Sequence, residues 1–340
     1  MNKPARITFC CIISFIIFVA AVSIGSHVIH PQETLIIFIH KLCPALFPGQ
    51  YASINDSNTD IIWQLRLPRV LLAFLSGGCL AVSGAAIQSI LKNQLASPYI
   101  LGVSSGASLG AAFVMLSGAA IPFFPAFTLP LTGFLFALLT TMIVATGSSR
   151  LDKTMSNNTI VLFGMVTSLF INAVLALLVA LYRKELDALI MWQMGSFAFR
   201  GWPYLKILVP FFLVGMIGIL RWTREMDIMT FGDEHALSAG VEVKSAKRGI
   251  FLFSTLLTGS AVAVSGVIGF VDLIAPHVSR KITGAEHRFV IPVSFITGGT
   301  LCVAADLLAR TLISPSELPV GALTALIGAP LFIWIYFKKK

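Results

Sequence analysis

The stretch GVIGFVDLIAPHVSRKI, residues 266–282, holds the residues best placed to do chemistry inside an apolar run. Asp272, Pro276 and His277 fall within six positions, and Arg280 follows. A carboxylate and an imidazole this close suggest a proton relay or the acid and base of an intramembrane hydrolase. The placement is costly, about +2.5 to +3.5 kcal/mol for an Asp at a bilayer centre on insertion scales. Acid–base or metal chemistry needs further partners, and Asp306, the other carboxylate in an apolar run, has no histidine beside it. The chain has no GxxxxGK[ST] and no HExxH, so neither a P-loop nor a zincin signature is present. Asp272, Pro276 and His277 therefore read as structural polar residues within the membrane. Asp272 is expected to hydrogen-bond to a neighbouring helix or loop. A lining role on a path and a proton-carrying role are its alternatives.

What positions these residues is set by composition. The 340 residues are 56% hydrophobic and 11% charged, with mean hydropathy +0.89, whereas soluble domains carry about 25% charged residues. This is an all-α polytopic membrane protein. A bilayer core takes about 20 apolar residues per helix. That template places ten spans near 7–29, 70–91, 96–117, 122–146, 159–181, 202–220, 249–268, 270–283, 289–309 and 318–337. The eighth is short and contains Pro276, so it belongs among other helices. Segments 33–50 and 185–200 are too interrupted to span and read as interfacial helices, with Trp192, Trp202 and Tyr204 as anchors. The basic start MNKPAR precedes an apolar run without a small-x-small cleavage site, so the first helix is expected to be retained. Cysteines 10, 11, 43, 79 and 302 have no metal-ligand spacing and read as unpaired thiols.

Lys and Arg set the orientation. With the N-terminus inside, sixteen of the 24 basic residues fall on the cytoplasmic side and eight on the other, so both termini are expected to be cytoplasmic. The excess of basic residues reflects topology; there is no nucleic-acid motif. GGCLAVSG at 77–84 and GSAVAVSG at 259–266 form a weak repeat on spans of opposite polarity, the pattern of an inverted internal repeat. At the same offset Gly102 meets Gly284. Gly102, Gly106 and Gly110 stack on one helix face, with Ser104, Ser105 and Ser108 around it. Close helix packing and a polar lining to a path both fit that stripe. Residues 221–248 form a polar loop, in which EHALSAG reads as a short helix stopped at Gly240, with Asp233 and Glu234 at its start.

These motifs together resemble the permease subunits of type II ABC importers, the family that moves iron–siderophore complexes, haem and cobalamin. RLPR at 66–69 precedes SGAAIQSILKNQLASPYILGVSSGASLGA at 83–111, which is similar to the family's SGAxxQxxxxNPLAxPxxLGVSSGAxxGA. FGDEHALSAGVEV at 231–243 resembles its cytoplasmic loop, and GVIGFVDLIAPHVSR at 266–280 its GxIGFVGLxxPHxxR. GAEHR at 284–288, ADLLAR at 305–310 and ELPVGALTALIGAPLFIW at 317–334 complete the pattern. Gln94 stands in place of the usual Pro, and Asp272 in place of the usual Gly.

The resemblance implies one transmembrane permease domain over 1–340, in the bacterial inner membrane, moving a ferric siderophore. Haem or cobalamin is the alternative cargo. It implies a second permease subunit, identical or homologous, two cytoplasmic ATPase subunits that carry ATP and Mg, and a periplasmic binding protein. This chain itself would bind no cofactor or metal and catalyse no reaction. Arg66, Arg69 and Arg310 would meet carboxylates of the binding protein. Gly232, Asp233, Glu234, Ala236 and Gly240, in the 221–248 loop, would couple to the ATPase. Ser104, Ser105, Ser108, Asn157 and Asn158 would line the path or its inner gate. A different class, an ion-coupled secondary transporter carrying protons or sodium on Asp272 and Asp306, would need no ATPase and no such loop.

Overall fold

A computed structural model describes residues 3–25, 29–44, 51, 54–121, 125–152, 154–182 and 186–337. Among the described residues the regular structure is entirely helical. The helices are α1 Lys3–Ser23, α2 Pro31–Leu42, α3 Asp56–Ile90, α4 Val103–Ser117, α5 Pro125–Leu151, α6 Asn157–Leu181 and α7 Leu186–Gln193. They continue as α8 Trp202–Arg221, α9 Thr223–Met229, α10 Asp233–Ser238, α11 Val243–Ser265, α12 Val271–Thr283, α13 His287–Thr311 and α14 Val320–Phe337. Seven of them are long and apolar enough to cross a bilayer. The shorter apolar α4 and α14, with the thirteen-residue α12, supply the rest of the ten expected segments. Lys153, Arg183, Lys184 and Lys338–Lys340, part of the charge pattern, and positions 45–50 of the expected interfacial segment lie outside the described residues.

The largest departure from expectation is the start of α3, which runs fourteen residues before Val70. The polar run DSNTD and Pro68 hide it. Asn55 caps the start, its side chain accepting from the Ser57 amide. A π-helical turn over Ile61–Arg66 then lets the Leu67 amide bond to Ile62, five residues back. That wider turn brings the helix past Pro68, whose ring and missing N–H would break a regular ladder.

α3 is the centre of the bundle, buried along nearly its whole length after Arg66. Glycine lets its neighbours approach. A Cβ at Gly77 would lie 2.4 Å from the Gly298 carbonyl of α13, and one at Gly84 only 2.0 Å from the Asp272 carbonyl of α12. The repeat is present at the level of elements. Two runs of four helices correspond, α3–α4–α5–α6 and α11–α12–α13–α14, each with its shortest helix second. Their contacts are reciprocal: α3 packs on α13 as α11 packs on α5, and α3 on α12 as α11 on α4. The sequence match marks a different register. Gly102 and Phe270, both left-handed at φ +80 and +67, occupy equivalent positions before the two short helices, whereas Gly284 ends α12. The short matching strings reflect a shared small-residue composition rather than equivalent positions.

Trp192 also departs from expectation. It is buried at 7% exposure rather than anchored at an interface. Trp202 is half-buried, and its indole donates to the Trp63 carbonyl at 2.9 Å. The five cysteines are free. Large apolar side chains on α1, α6 and α8, among them Phe15, Phe170 and Ile217, remain exposed on the single chain.

Candidate functional site

Two polar clusters occupy opposite ends of the bundle, and a third lies between. At the first end, Arg66, Arg69 and Arg310 come together around a cavity of about 610 Å³ that Phe199, Arg200 and Glu317 also line. Their partners are internal. Arg66 donates to the Val22 and Ser23 carbonyls, at 3.2 and 2.6 Å, and Arg310 donates to the Ala21 carbonyl. These are carbonyls that the last turn of α1 leaves without helical partners. Arg69 grips Asp306 at 2.8 Å and Glu317 at 2.8 Å. Arg310 approaches the other Asp306 oxygen at 3.7 Å. Arg66 and Arg310 are buried, at 7% and 8% exposure, so they do not offer their guanidinium groups to another protein in this conformation. Arg69 is half-buried, and all three arginines line the cavity. Asp306 is 1% exposed and held by arginines, which makes it a structural anion rather than an ion carrier.

At the opposite end, α10 follows Gly232, whose φ of +128 few other residues adopt. The helix ends at Ser238, two residues earlier than the sequence suggests. Gly240, at φ +82, closes a Schellman motif: the Val241 amide bonds to Ala236 and the Gly240 amide to Leu237. Ala236 is fully buried and seats the helix, while Glu234 stays exposed in its first turn. Phe231 and Leu237, at 79% and 60% exposure, turn outward. Asp233 bridges two lysines, with Lys92 at 2.7 Å and Lys247 at 2.8 Å. Partial burial pushes its carboxyl up, but hydrogen bonds and charge from Lys247 and Lys92 outweigh that and hold it below the ordinary carboxylate range. Lys247 also donates to the Met155 carbonyl at 2.9 Å and to Asn157 Oδ1 at 3.1 Å. Asn158 beside it is exposed. Asp152 orders the same turn by accepting from the Thr154 and Ser156 amides at 2.8 and 3.0 Å.

Between the ends lies α12. Pro276 cannot bond to the carbonyl four residues back, which is that of Asp272. Gln88 Nε2 donates to that carbonyl at 3.1 Å, and Arg280 donates to Gln88 Oε1 at 2.6 Å. The Asp272 carboxylate accepts from the Ser97 hydroxyl. Asp272 thus has the helix and loop contacts expected of a structural residue, and His277 is buried on the same helix. Among the described residues no group of three or more His, Cys, Asp or Glu could hold a metal.

The small-residue stripe on α4 packs against α5. Cβ atoms at Gly106 and Gly110 would lie 2.7 and 2.6 Å from the Phe136 and Thr132 carbonyls. Ser105 and Ser108 are buried in the single chain and Ser104 is half-buried, so the expected polar lining is not open here for the first two. Residues 102–106, GVSSG, also fit the hydrolase pattern GxSxG, but they follow a 3₁₀ turn rather than the strand that pattern requires.

Lys247, Gln88, Phe231 and Leu237 did not stand out in the sequence. Gln88 was within reach, since a helical Pro always strands the carbonyl four residues back. Lys247 lies in a run of basic loop residues that looks solvated, and nothing local distinguishes it.

This is a bundle of membrane-length and shorter apolar helices with a polar segment at one end. The chain belongs to the FecCD transport family, whose family model matches residues 12–338. It is 44% identical over 293 residues to the uncharacterized ABC transporter permease protein YvrB of Bacillus subtilis, covering 86% of this chain and 83% of that one. It is 36% identical to the Fe(3+) dicitrate transport system permease protein FecD of Escherichia coli, over 82% and 86% of the two chains. The hemin transport system permease protein HmuU of Yersinia pestis is likewise 36% identical, over 84% and 87%. A solved ABC transporter described as of metal-chelate type, in an inward-facing conformation, superposes with a TM-score of 0.85 at 29% identity over 98% and 99%. The protein is thus an ABC importer permease, a class whose members are not themselves enzymes and work with a separate ATPase chain. That membership overturns the ion-coupled alternative.

Proposed function

We propose that this chain is the membrane subunit of an importer for a ferric siderophore. It would pair with a second permease copy or homologue, with both termini in the cytoplasm. Two ATPase subunits carrying ATP and Mg would dock at the α10 end, and a periplasmic binding protein would dock at the arginine end. The observation that carries the reading is the pair Phe231 and Leu237. Two large apolar side chains stand exposed, Leu237 on a short helix and Phe231 just before it, inside a polar loop where no lipid would cover them. Such residues mark a protein contact. At the other end, the exposed Phe199 and the half-buried Arg200 at the rim of the cavity take over the docking role first expected of Arg66 and Arg310.

Iron chelates as cargo are supported by relatives named for ferric dicitrate and iron(3+)-hydroxamate. Relatives named for hemin and cobalamin lie at similar identity, so haem and cobalamin are the outcomes to test against. The test is reconstituted uptake with the cognate ATPase and binding protein, offering iron trihydroxamate, ferric citrate, hemin and cobalamin in turn. Iron-chelate uptake, lost in a Phe231→Ser/Leu237→Ser double variant that still inserts, supports the reading. Uptake of hemin or cobalamin alone overturns the siderophore assignment. Full ATPase retention by the double variant overturns the docking assignment.

A further inference from the structure

We propose that Lys247 is the positioning residue that transmits movement of α10 to the turn at 152–159, and so to the start of α6 at the inner mouth. The inference rests on α10 being the ATPase contact. Lys247 begins on α11 and belongs to neither segment it joins. Its side chain is completely buried. An ammonium group has three N–H donors. Here they are met by Asp233 Oδ2 of α10, by the Met155 carbonyl and by Asn157 Oδ1. One charge thus ties three segments, and only one of its partners, Asp233, carries an opposing charge.

The segments it ties are held in shapes they would not take alone. Met155 and Lys92 both have φ +52, in the left-handed region that non-glycine residues avoid. Met155 is fully buried, and its backbone turn presents its carbonyl to Lys247. Lys92 binds the other oxygen of Asp233 at 2.7 Å. A displacement of α10 therefore acts first on the Asp233 carboxylate. If Lys247 follows Asp233, it leaves Met155 and Asn157; if it stays, Asp233 is left to Lys92. A buried ammonium does not leave any of its acceptors without replacement. Movement of α10 and the shape of the 152–159 turn are coupled for that reason. Packing alone offers a weaker link, because α10 has only six residues and buries one of them, Ala236.

The experiment uses the full permease assembled with its ATPase in lipid vesicles. Asn158→Cys is introduced into a chain with Cys10, Cys11 and Cys43 changed to Ser, and is labelled by a water-soluble maleimide. Labelling rates are compared without nucleotide and with ATP plus vanadate, per assembled complex. The parent should change rate by about fivefold or more between the two states, the lower end of ordinary allosteric coupling. Lys247→Met should reduce that response to within about twofold of none. Asp233→Ala, which removes the α10 acceptor and leaves the other two acceptors of Lys247, should do the same. A Lys247 that merely braces the fold would lower the yield of complex and leave the response per complex unchanged, which overturns the proposal. A full response in Asp233→Ala overturns it even where Lys247→Met does not assemble. A parent whose label ignores nucleotide would instead count against α10 as the coupling helix, and this inference would fall with it.

Discussion

Each end of this permease holds one carboxylate between two cations, and the two arrangements differ in what they permit. Asp306 is 1% exposed, gripped by Arg69 and approached by Arg310. All three residues sit on α3 or α13, long helices that pack on each other through touching glycines. Asp233 is 31% exposed and is held by lysines from two segments, on a six-residue helix. A guanidinium offers a rigid planar fork, whereas an ammonium is a point charge on a flexible stem. The arginine end therefore fixes helices, and the lysine end can exchange partners as a helix moves. The contrast teaches that a carboxylate between two cations is held rigidly or loosely according to whether the cations are arginines on long packed helices or lysines beside a short one.

The widest test of that contrast is Asp306→Leu. It leaves the half-buried Arg69 with Glu317 alone and removes the nearest carboxylate of the buried Arg310, and breaking a buried pair from one side costs about 3–5 kcal/mol. Folded, monodisperse protein should become scarce and its melting temperature should fall sharply. A variant that melts like the parent would show that Asp306 is no lock, and the comparison would lose its first half.

Gly240→Val comes next. A Cβ at Gly240 meets nothing within 4 Å, so the cost is conformational rather than steric. Placing a β-branched residue at φ +82 costs about 1–2 kcal/mol and releases the Schellman closure. The bundle should survive this, since α10 contributes little to it. Transport should drop while ATP hydrolysis by the complex continues. Normal uptake in stably expressed Gly240→Val would remove the coupling half of the comparison.

The sequence made the two ends legible to different degrees. Residues 231–243 announced α10 through a helix start with two acids and a glycine stop, and the structure keeps both features. The seven long segments were also legible, because an apolar run of bilayer length admits only a helix. The resemblance implies a docking role for the arginines, but their helix-end positions match exposure as well as burial. Only the spatial neighbour, the open last turn of α1, decides between the two, and it lies some forty residues from Arg66 and nearly three hundred from Arg310. Lys247 was hidden for the same reason, as its acceptors are separated from it by 92, 90 and 14 residues. The extension of α3 through Pro68 was hidden because a π-helical turn has no strong local signature.

Asp272 sharpens the comparison from the middle of the molecule, with the smallest expected effect. Its burial equals that of Asp306, at 1% exposure. What holds its carboxylate is a hydroxyl, that of Ser97, rather than a guanidinium. Ser97 also accepts from the Tyr99 amide at 3.2 Å and so caps the 3₁₀ turn before α4. The carboxylate therefore orients a hydroxyl that serves a turn, and it balances no buried charge. Its backbone carbonyl, freed by Pro276, is served separately by Gln88 and does not depend on the side chain. Asp272→Asn keeps an oxygen that can accept from Ser97 and removes only the charge. A hydrogen bond to a charged group contributes about 1.5–3 kcal/mol and a neutral one about 0.5–1.5 kcal/mol, so the amide retains part of the contact. Uptake and melting temperature should stay close to the parent's. Asp272→Leu removes the acceptor and leaves the half-buried Ser97 hydroxyl without it, at a cost of about 1 kcal/mol or more. That variant should yield less folded protein. If Asp272→Asn abolished transport with expression and ATPase docking intact, charge at this position would have to matter in its own right. Burial depth, rather than the cation that answers it, would then set what a carboxylate does in this bundle.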